Sequence, residues 1–321
     1  MLIYGKFKME KNMEDKILKI DSNQMELVDF RIFSEQNDET YEGIYGINVS
    51  KVREIIKFTK LTELPGTNDY VEGIFDLRGK VIPVINLSKW LGITNKKIKI
   101  ENTKIIITEF NNISVGFIVH EANRIRRISW KDIESLSFQN TNSSIDNSKI
   151  TGVTKLENDE ILLILDLEKV LLELGLTGSI EIETKEKSNK YKGFALILDD
   201  SSTARKILKE ALTKLGLTVI EAIDGIDGIK KIEDFNKTNN IEELKIIISD
   251  IEMPQMDGYH FAAKLKEDIK FNKIPIIFNS SISNENNVKN SKKIGVEDYL
   301  VKFDYNDFFT TVTRILDKEG K

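Results

Sequence analysis

The sequence predicts a protein in two parts. The N-terminal part is all-β, small barrels or a sandwich with a strand count that suggests two, and the C-terminal part is α/β, a doubly wound five-stranded parallel sheet. Three observations predict this. Between residues 24 and 175, short runs rich in β-branched and aromatic residues recur with Gly, Pro and Asn between them, as in small barrels and sandwiches. From residue 193 onward, strand-length apolar runs alternate with stretches of helical period, the signature of a parallel sheet covered by helices. Between the two patterns, Thr177 to Lys192 (TGSIEIETKEKSNKYK) is charged and poor in apolar residues, which suits a linker. The chain therefore reads as a polar lead-in over 1–23, a β domain over 24–176, a linker over 177–192 and an α/β domain over 193–321.

In the β domain, Leu27–Phe33, Glu42–Val49 and Val52–Ile56 are the first strand candidates, punctuated by Gly43, Gly46, Pro65 and Gly66. Val71 to Leu87 (VEGIFDLRGKVIPVINL) reads as two strands around a tight Arg78-Gly79-Lys80 turn, with a short helix from Ser88 to Leu91 stopped by Gly92. Val71 and Ile74 are expected in the core. Lys104–Phe110 and Ile113–Val119 form a hairpin across Asn111-Asn112, and further strands are expected at 124–128, 149–156 and 161–166. Arg124, Arg126 and Arg127 read as a solvated basic edge.

In the α/β domain, four apolar runs end in polar groups. Phe194–Leu198 leads into Asp199-Asp200, and Ile246-Ile-Ile-Ser leads into Asp250 before Met253-Pro254. Ile274–Phe278 leads to Ser280, and Asp298-Tyr299-Leu-Val leads to Lys302. A buried parallel strand delivers its last residues to the carboxyl edge of the sheet, where ligands bind in open α/β folds. Taken singly, each aspartate reads equally well as a helix N-cap after a strand. Together, three carboxylates at one edge suit a hard divalent cation such as magnesium, which takes one or two carboxylates plus phosphate oxygens and water. Between the strands, Ser201 or Ser202 caps a helix with Ile207, Leu208, Ala211, Leu212 and Leu215 on its apolar face, and Gly216 stops it. A strand at 219–223 and a helix from Gly225 to about Phe235 follow. Lys237–Asn240 reads as a surface insertion, and a last helix starts near Asn306.

Composition narrows the function. The net charge of −5 gives no electrostatic support to nucleic-acid binding. The absence of cysteine excludes disulfides, zinc–thiolate sites and thiol nucleophiles. The N-terminal residues lack the apolar core of roughly 7–15 residues that a signal peptide needs, and no run reaches membrane-span length, so a cytoplasmic protein is expected. His120 and His260 lack ligand-spaced neighbours and receive no metal or catalytic role.

The paired acids Asp199-Asp200, the Asp250 that precedes Met253-Pro254 and Asp257-Gly258, and Ser280, Tyr299 and Lys302 stand in the order and spacing of response-regulator receiver domains, which residues 193–321 resemble. The resemblance implies a flavodoxin-like fold and a magnesium ion held by Asp199, Asp200, Asp250 and the backbone carbonyl of Glu252. It also implies phosphorylation of Asp250, with Lys302 and Ser280 on the phosphoryl oxygens and Tyr299 coupled to the movement of the hydroxyl. Phe303 stands where most receivers have proline.

The runs Tyr45–Ile56, Leu64-Pro-Gly66, Val71–Leu87, Thr151–Lys155 and Leu162–Leu167 resemble CheW-type chemotaxis adaptor domains, which implies two SH3-like barrels and a role for Arg78 in partner binding. Asp76 departs from the asparagine more usual before Leu-Arg-Gly; the turn is expected to survive, with an added negative charge beside Arg78.

Adaptor followed by receiver is similar to the CheV-type coupling proteins, among which a phenylalanine at the position of Phe303 is typical. That similarity implies an adaptor, not an enzyme, that joins the cytoplasmic tips of chemoreceptors to a CheA-type histidine kinase and approaches the membrane only through those receptors. Phosphorylation of Asp250 would retune the coupling. The rival reading is a receiver that acts mainly as a phosphate sink, draining the kinase while the adaptor domain localises it. A structural adaptor with an inactive receiver is disfavoured because no member of the acid set is missing.

Overall fold

The computed structural model describes residues 24–36, 39–93, 99–110, 113–134, 149–176, 190–281, 285–302 and 304–319. The Asn111-Asn112 turn, the lead-in, most of the expected linker and Phe303 lie outside these. The chain divides into two compact units, one carrying two β-sheets and the other a parallel sheet.

In the β unit, the first sheet has six strands and the second five. The first uses β1 (Gln24–Gln36), β2 (Glu39–Asn48), β8 (Glu121–Ser129), β9 (Ile133–Glu134), β10 (Ile150–Lys155) and β11 (Ile161–Leu165), in the order β8-β1-β2-β11-β10-β9. The second uses β3 (Val52–Lys57), β4 (Val71–Leu77), β5 (Lys80–Asn86), β6 (Lys104–Phe110) and β7 (Ile113–Val119), in the order β3-β6-β7-β5-β4. The two-unit β pattern in the sequence corresponds to these two sheets. The pairing of β2 with β11 is parallel, across more than a hundred residues of chain, and no local sequence signal announces it.

Two short helices complete the unit. α1 (Leu87–Trp90) begins one residue before the expected Ser88 because the Asn86 side chain caps it, accepting from Lys89 N–H. α2 (Leu167–Glu173) is capped by Asp166. It is tied to residues on the other sheet's side of the unit, through Glu168 to Lys51 at 3.3 Å and Glu173 to the Trp90 indole N–H at 2.8 Å. Val71 and Ile74, expected in the core, are only half-buried; Phe75, Ile82 and Val84 supply that core instead.

The second unit has the strand order β13-β12-β14-β15-β16, all parallel: β12 (Phe194–Leu198), β13 (Thr218–Ala222), β14 (Leu244–Ser249), β15 (Ile276–Ser280) and β16 (Asp298–Val301). Its helices are α3 (Ser202–Leu215), α4 (Gly225–Thr238), α5 (Gly258–Glu267), α6 (Glu285–Ile294) and α7 (Tyr305–Glu319). Strand alternation explains the unbroken apolar runs. Ile247, Leu196 and Leu198 face the cluster that includes residues of α4, α5 and α6, while Ile246, Ile248, Ala195 and Ile197 face the cluster that includes residues of α3 and α7. A strand covered on both faces must be apolar at every position. Each such side chain contributes on the order of 1.5–3 kcal/mol on burial.

The Ser201 cap and the Gly216 stop of α3 are as the sequence predicts: Ser201 accepts from Ala204 N–H, and Gly216 takes φ 101°. Lys237–Asn240 lies at the surface, as expected, and begins as regular helix. Helix α4 continues through Thr238, and Asn240 caps the single turn Ile241–Glu243 that leads into β14. Among the described residues, no helix is long and apolar enough to cross a membrane.

Candidate functional site

Strands β12, β14, β15 and β16 lie side by side, so the residues that follow them meet at one edge. Leu198 is in register with Ser249, which places Asp199 beside Asp250. Asp250 N–H donates to the Leu198 carbonyl at 2.7 Å. Ser280 is in register with Val301, and Lys302 N–H donates to the Ser280 carbonyl at 2.9 Å. The four segment ends singled out in the sequence are thus brought together by parallel register alone.

The side chains converge as well. One carboxylate oxygen from each of Asp199, Asp200 and Asp250 lies within 4.8 Å of the others. Lys302 Nζ sits 2.8 Å from Asp199 Oδ2 and 3.0 Å from Asp250 Oδ2. Asp199, Asp250 and Lys302 are buried, and Asp200 is half-buried, which opens the cluster to solvent on one side. Two backbone amides hold the carboxylates: Ser201 N–H donates to Asp199 Oδ1 at 2.9 Å and Ile251 N–H to Asp250 Oδ1 at 2.7 Å.

Carboxylates outnumber the lysine among them, and like charges this close repel strongly in a buried setting. An all-oxygen donor set of this kind, closed on one side and wet on the other, fits a hard divalent cation that keeps some of its water. Ser280 is buried at the end of β15, and Tyr299 is half-buried against the α4–α5–α6 cluster, in register with Phe278. Glu252 is half-buried in the bend after β14.

The segment after Asp250 is locked against its neighbours. Gly258 N–H donates to the Ile251 carbonyl at 2.9 Å, and a Cβ on Gly258 would overlap the Asp250 carbonyl oxygen and lie 3.0 Å from Ile251 Cα. Only glycine permits that approach. Asp257 caps α5 by accepting from His260 N–H, and its other oxygen is 2.6 Å from His260 Nδ1. On the far side, Gly225 N–H donates to the Met256 carbonyl at 3.0 Å. Next to Gly225, burial raises the Asp224 carboxyl above the usual carboxylate range.

One residue of this site was not singled out in the sequence. Arg205, on the first turns of α3, donates through Nη1 to the carbonyls of Asp199 at 2.7 Å and Asp200 at 3.2 Å. The only local signal is its position six residues after Asp199, where a helix starting at Ser202 turns back toward the acids.

In the β unit, Arg78 is at a hairpin tip as expected. Leu77 pairs with Lys80, leaving Arg78 (φ 56°) and Gly79 (φ 83°) as a two-residue turn with both φ positive, the geometry that suits tight hairpins. Asp76 accepts from Gly79 N–H at 3.1 Å, so the departure from asparagine keeps the turn bond. The Arg78 side chain is 79% exposed and pairs with Glu54 at 3.1 Å, and not with Asp76. Val81 beside it is 66% exposed.

The basic edge at Arg124–Arg127 requires correction at one position. Arg126 pairs with the fully buried Asp29, Arg127 pairs with Glu26 at 2.8 Å, and Arg124 lies 3.7 Å from Asp29. Arg124 and Arg127 are exposed on the edge strand, as expected; the correction concerns Arg126, which is mostly covered and ties β8 to β1 through Asp29. A buried carboxylate opposite it was invisible while β1 and β8 were read separately.

Comparison with known proteins agrees with both halves. The family model for CheW-like domains matches residues 30–174, and that for the response regulator receiver domain matches residues 195–313. The chain is 51% identical to chemotaxis protein CheV3 of Helicobacter pylori, over 93% of this chain and 96% of that protein. It is 39% identical to chemotaxis protein CheW of Bacillus subtilis over 40% of this chain and 79% of that one. It is also 36% identical to chemotaxis protein CheY1 of Helicobacter pylori over 33% of this chain and 82% of that one.

Proposed function

This chain belongs to the CheV family of chemotaxis proteins, a CheW-like domain fused to a receiver, and from that premise we propose that it is a phosphorylation-gated coupler. In this reading the CheW-like unit joins chemoreceptors to a CheA-type histidine kinase in the cytoplasm, and phosphorylation of Asp250 changes the strength of that joining. The observation that carries the proposal is the convergence of Asp199, Asp200 and Asp250 within 4.8 Å, with Lys302 Nζ 3.0 Å from Asp250.

Asp250 is the nucleophile. Its carboxylate oxygen forms a bond to the phosphorus of a phosphohistidine donor as the donor's N–P bond breaks and the imidazole nitrogen leaves with the electron pair. Asp199, Asp200, Asp250 and the Glu252 carbonyl would hold magnesium, which supplies the counter-charge that lets one anion attack another. Lys302, placed beside Asp250, would neutralise a phosphoryl oxygen, and the Ser280 hydroxyl would donate to another. The new group carries about −1.5 to −2 charges. Moving a switch from mostly off to mostly on requires about 5.5 kcal/mol of differential interaction. Charge-assisted hydrogen bonds from lysine, hydroxyl and backbone amides, each on the order of 1.5–3 kcal/mol, supply that scale. Arg78 is proposed as a partner contact of the CheW-like unit, on the strength of its exposure at a rigid tip beside exposed Val81.

The test is binding of the purified chain to receptor–kinase complexes with and without magnesium and beryllofluoride, a stable phosphoryl mimic. The expected result is an affinity shift with the mimic that disappears in Asp250→Asn. Binding that ignores the mimic would reduce the receiver to a phosphate sink, and absence of binding would remove the coupling role.

A further inference from the structure

Arg205 touches neither the carboxylates nor any group proposed to react, yet it is attached to the backbone of both residues in the acid pair. Its Nη1 donates to the Asp199 carbonyl at 2.7 Å and to the Asp200 carbonyl at 3.2 Å. The other side of the guanidinium faces a carboxylate without a hydrogen bond: Nε lies 3.8 Å from Glu221 Oε2 on β13, an ion pair, and Lys209 Nζ lies 2.5 Å from Glu221 Oε1. The arginine side chain is 16% exposed, so these bonds form with little competition from water. Asp199 is already fixed by Ser201 N–H. The planes of the 199–200 and 200–201 peptides determine where the Asp200 side chain points, and their carbonyls are the atoms that Arg205 holds.

We propose that Arg205 is a positioning residue for the cation site, clamping the two carbonyls of the acid pair so that the Asp199 and Asp200 carboxylates are aimed together at Asp250. A planar guanidinium can donate to two carbonyls from one fixed position, and the Glu221 carboxylate on the edge strand attracts its far side. An ammonium is a point charge on a flexible stem and reproduces the charge without the geometry. A purely electrostatic role runs the other way. A cation next to three carboxylates opposes the binding of a second cation, so removing it would tighten metal binding.

The inference rests on the reading of Asp199, Asp200 and Asp250 as a magnesium site, and calorimetric titration of the full-length chain with magnesium alone separates the two. Magnesium binding by the unmodified chain that is lost in Asp250→Asn upholds the site, and absence of binding refutes the site and the inference with it. Given binding, Arg205→Met and Arg205→Lys are both expected to weaken magnesium affinity by about tenfold, the lower end of the range for residues that orient metal ligands. Melting temperatures in EDTA should stay near that of the unmodified chain. At saturating magnesium, the rate of phosphorylation by acetyl phosphate should return toward the unmodified value in Arg205→Lys, because the defect lies in holding the cation. Unchanged affinity in both variants overturns the inference, as does tighter binding in Arg205→Met or full retention in Arg205→Lys. Should Arg205→Met fail to fold, Arg205→Lys decides alone.

Discussion

Two buried charge clusters in this molecule look alike in composition and differ in balance. In the CheW-like unit, Asp29 is fully buried on β1 and meets Arg31 and Arg126, with Arg124 at 3.7 Å, while Arg31 also pairs with Glu42. Each acid there has an arginine, so no carboxylate is left in excess. In the receiver, Asp199, Asp200 and Asp250 converge, Lys302 pairs with Asp199 and Asp250, and carboxylates outnumber the lysine. The first arrangement satisfies its own charges and holds strands together. The second stays incomplete until a cation and an anionic group complete it. Buried charge that closes on itself is architecture, whereas buried charge in excess invites a ligand.

Removing one acid from each cluster should therefore have opposite consequences. Asp250→Asn is expected to abolish phosphorylation by acetyl phosphate entirely, with a metal-free melting temperature no lower than before, because one source of repulsion is gone. Loss of stability with retained phosphorylation would break the comparison. Asp29→Ala should leave receiver phosphorylation unchanged and destabilise the β unit by about 3 kcal/mol, since it leaves Arg126 without its carboxylate and removes one of the two partners of buried Arg31. Urea denaturation monitored by Trp90 fluorescence in a Trp130→Phe background reads this directly, because Trp90 lies within the β unit.

Gly258→Ala sharpens the comparison by perturbing the receiver site without touching its charge. The new Cβ would press on the Asp250 carbonyl, a backbone atom that cannot rotate away. A destabilisation of about 1–3 kcal/mol is expected, together with slowed phosphorylation measured on the folded fraction.

The smallest effect belongs to pH. Burial lowers the His120 pKa below the ordinary 6.5, against a smaller opposing pull from Glu121, and Nδ1 accepts from Phe33 N–H at 3.0 Å. The folded unit thus favours neutral His120. As pH falls below about 6.5, the unfolded chain takes up a proton that the folded chain resists, so stability is present above that pH and declines beneath it. Denaturation midpoints between pH 7.5 and 5.5 should show a decline that is flattened in His120→Asn.

Much of the receiver was legible before any coordinates. Ile246–Ile248 has to be apolar at each position because both faces of β14 are covered, and the run ends where the sheet ends, at Asp250. The same logic marks Asp199, Ser280 and Lys302. The hairpin at Arg78-Gly79 was legible because two positive φ angles leave few residue choices. Arg126 was misjudged because its exposure depends on a strand 97 residues earlier in the chain, and periodicity within β8 cannot report what β1 places opposite. The extent of α4 was misjudged because Lys237 and Thr238 are polar and exposed, so no apolar period marks the last turn.

By itself, then, the sequence determined where most of the strands lie and which polar groups follow the strands of the receiver sheet, while the ends of β1, β2 and β8 and the short β9 were not written in it. What it determined are matters of local burial, written in adjacent residues. The tertiary structure alone decided which charges are closed and which remain open, because that depends on distances between strands. It set Asp29 among arginines, brought three carboxylates together with a lysine on two of them and laid Arg205 across the backbone of the acid pair. Electrostatic balance depends on neighbours in space, and contacts between remote segments of the chain establish it only once the sheets have formed.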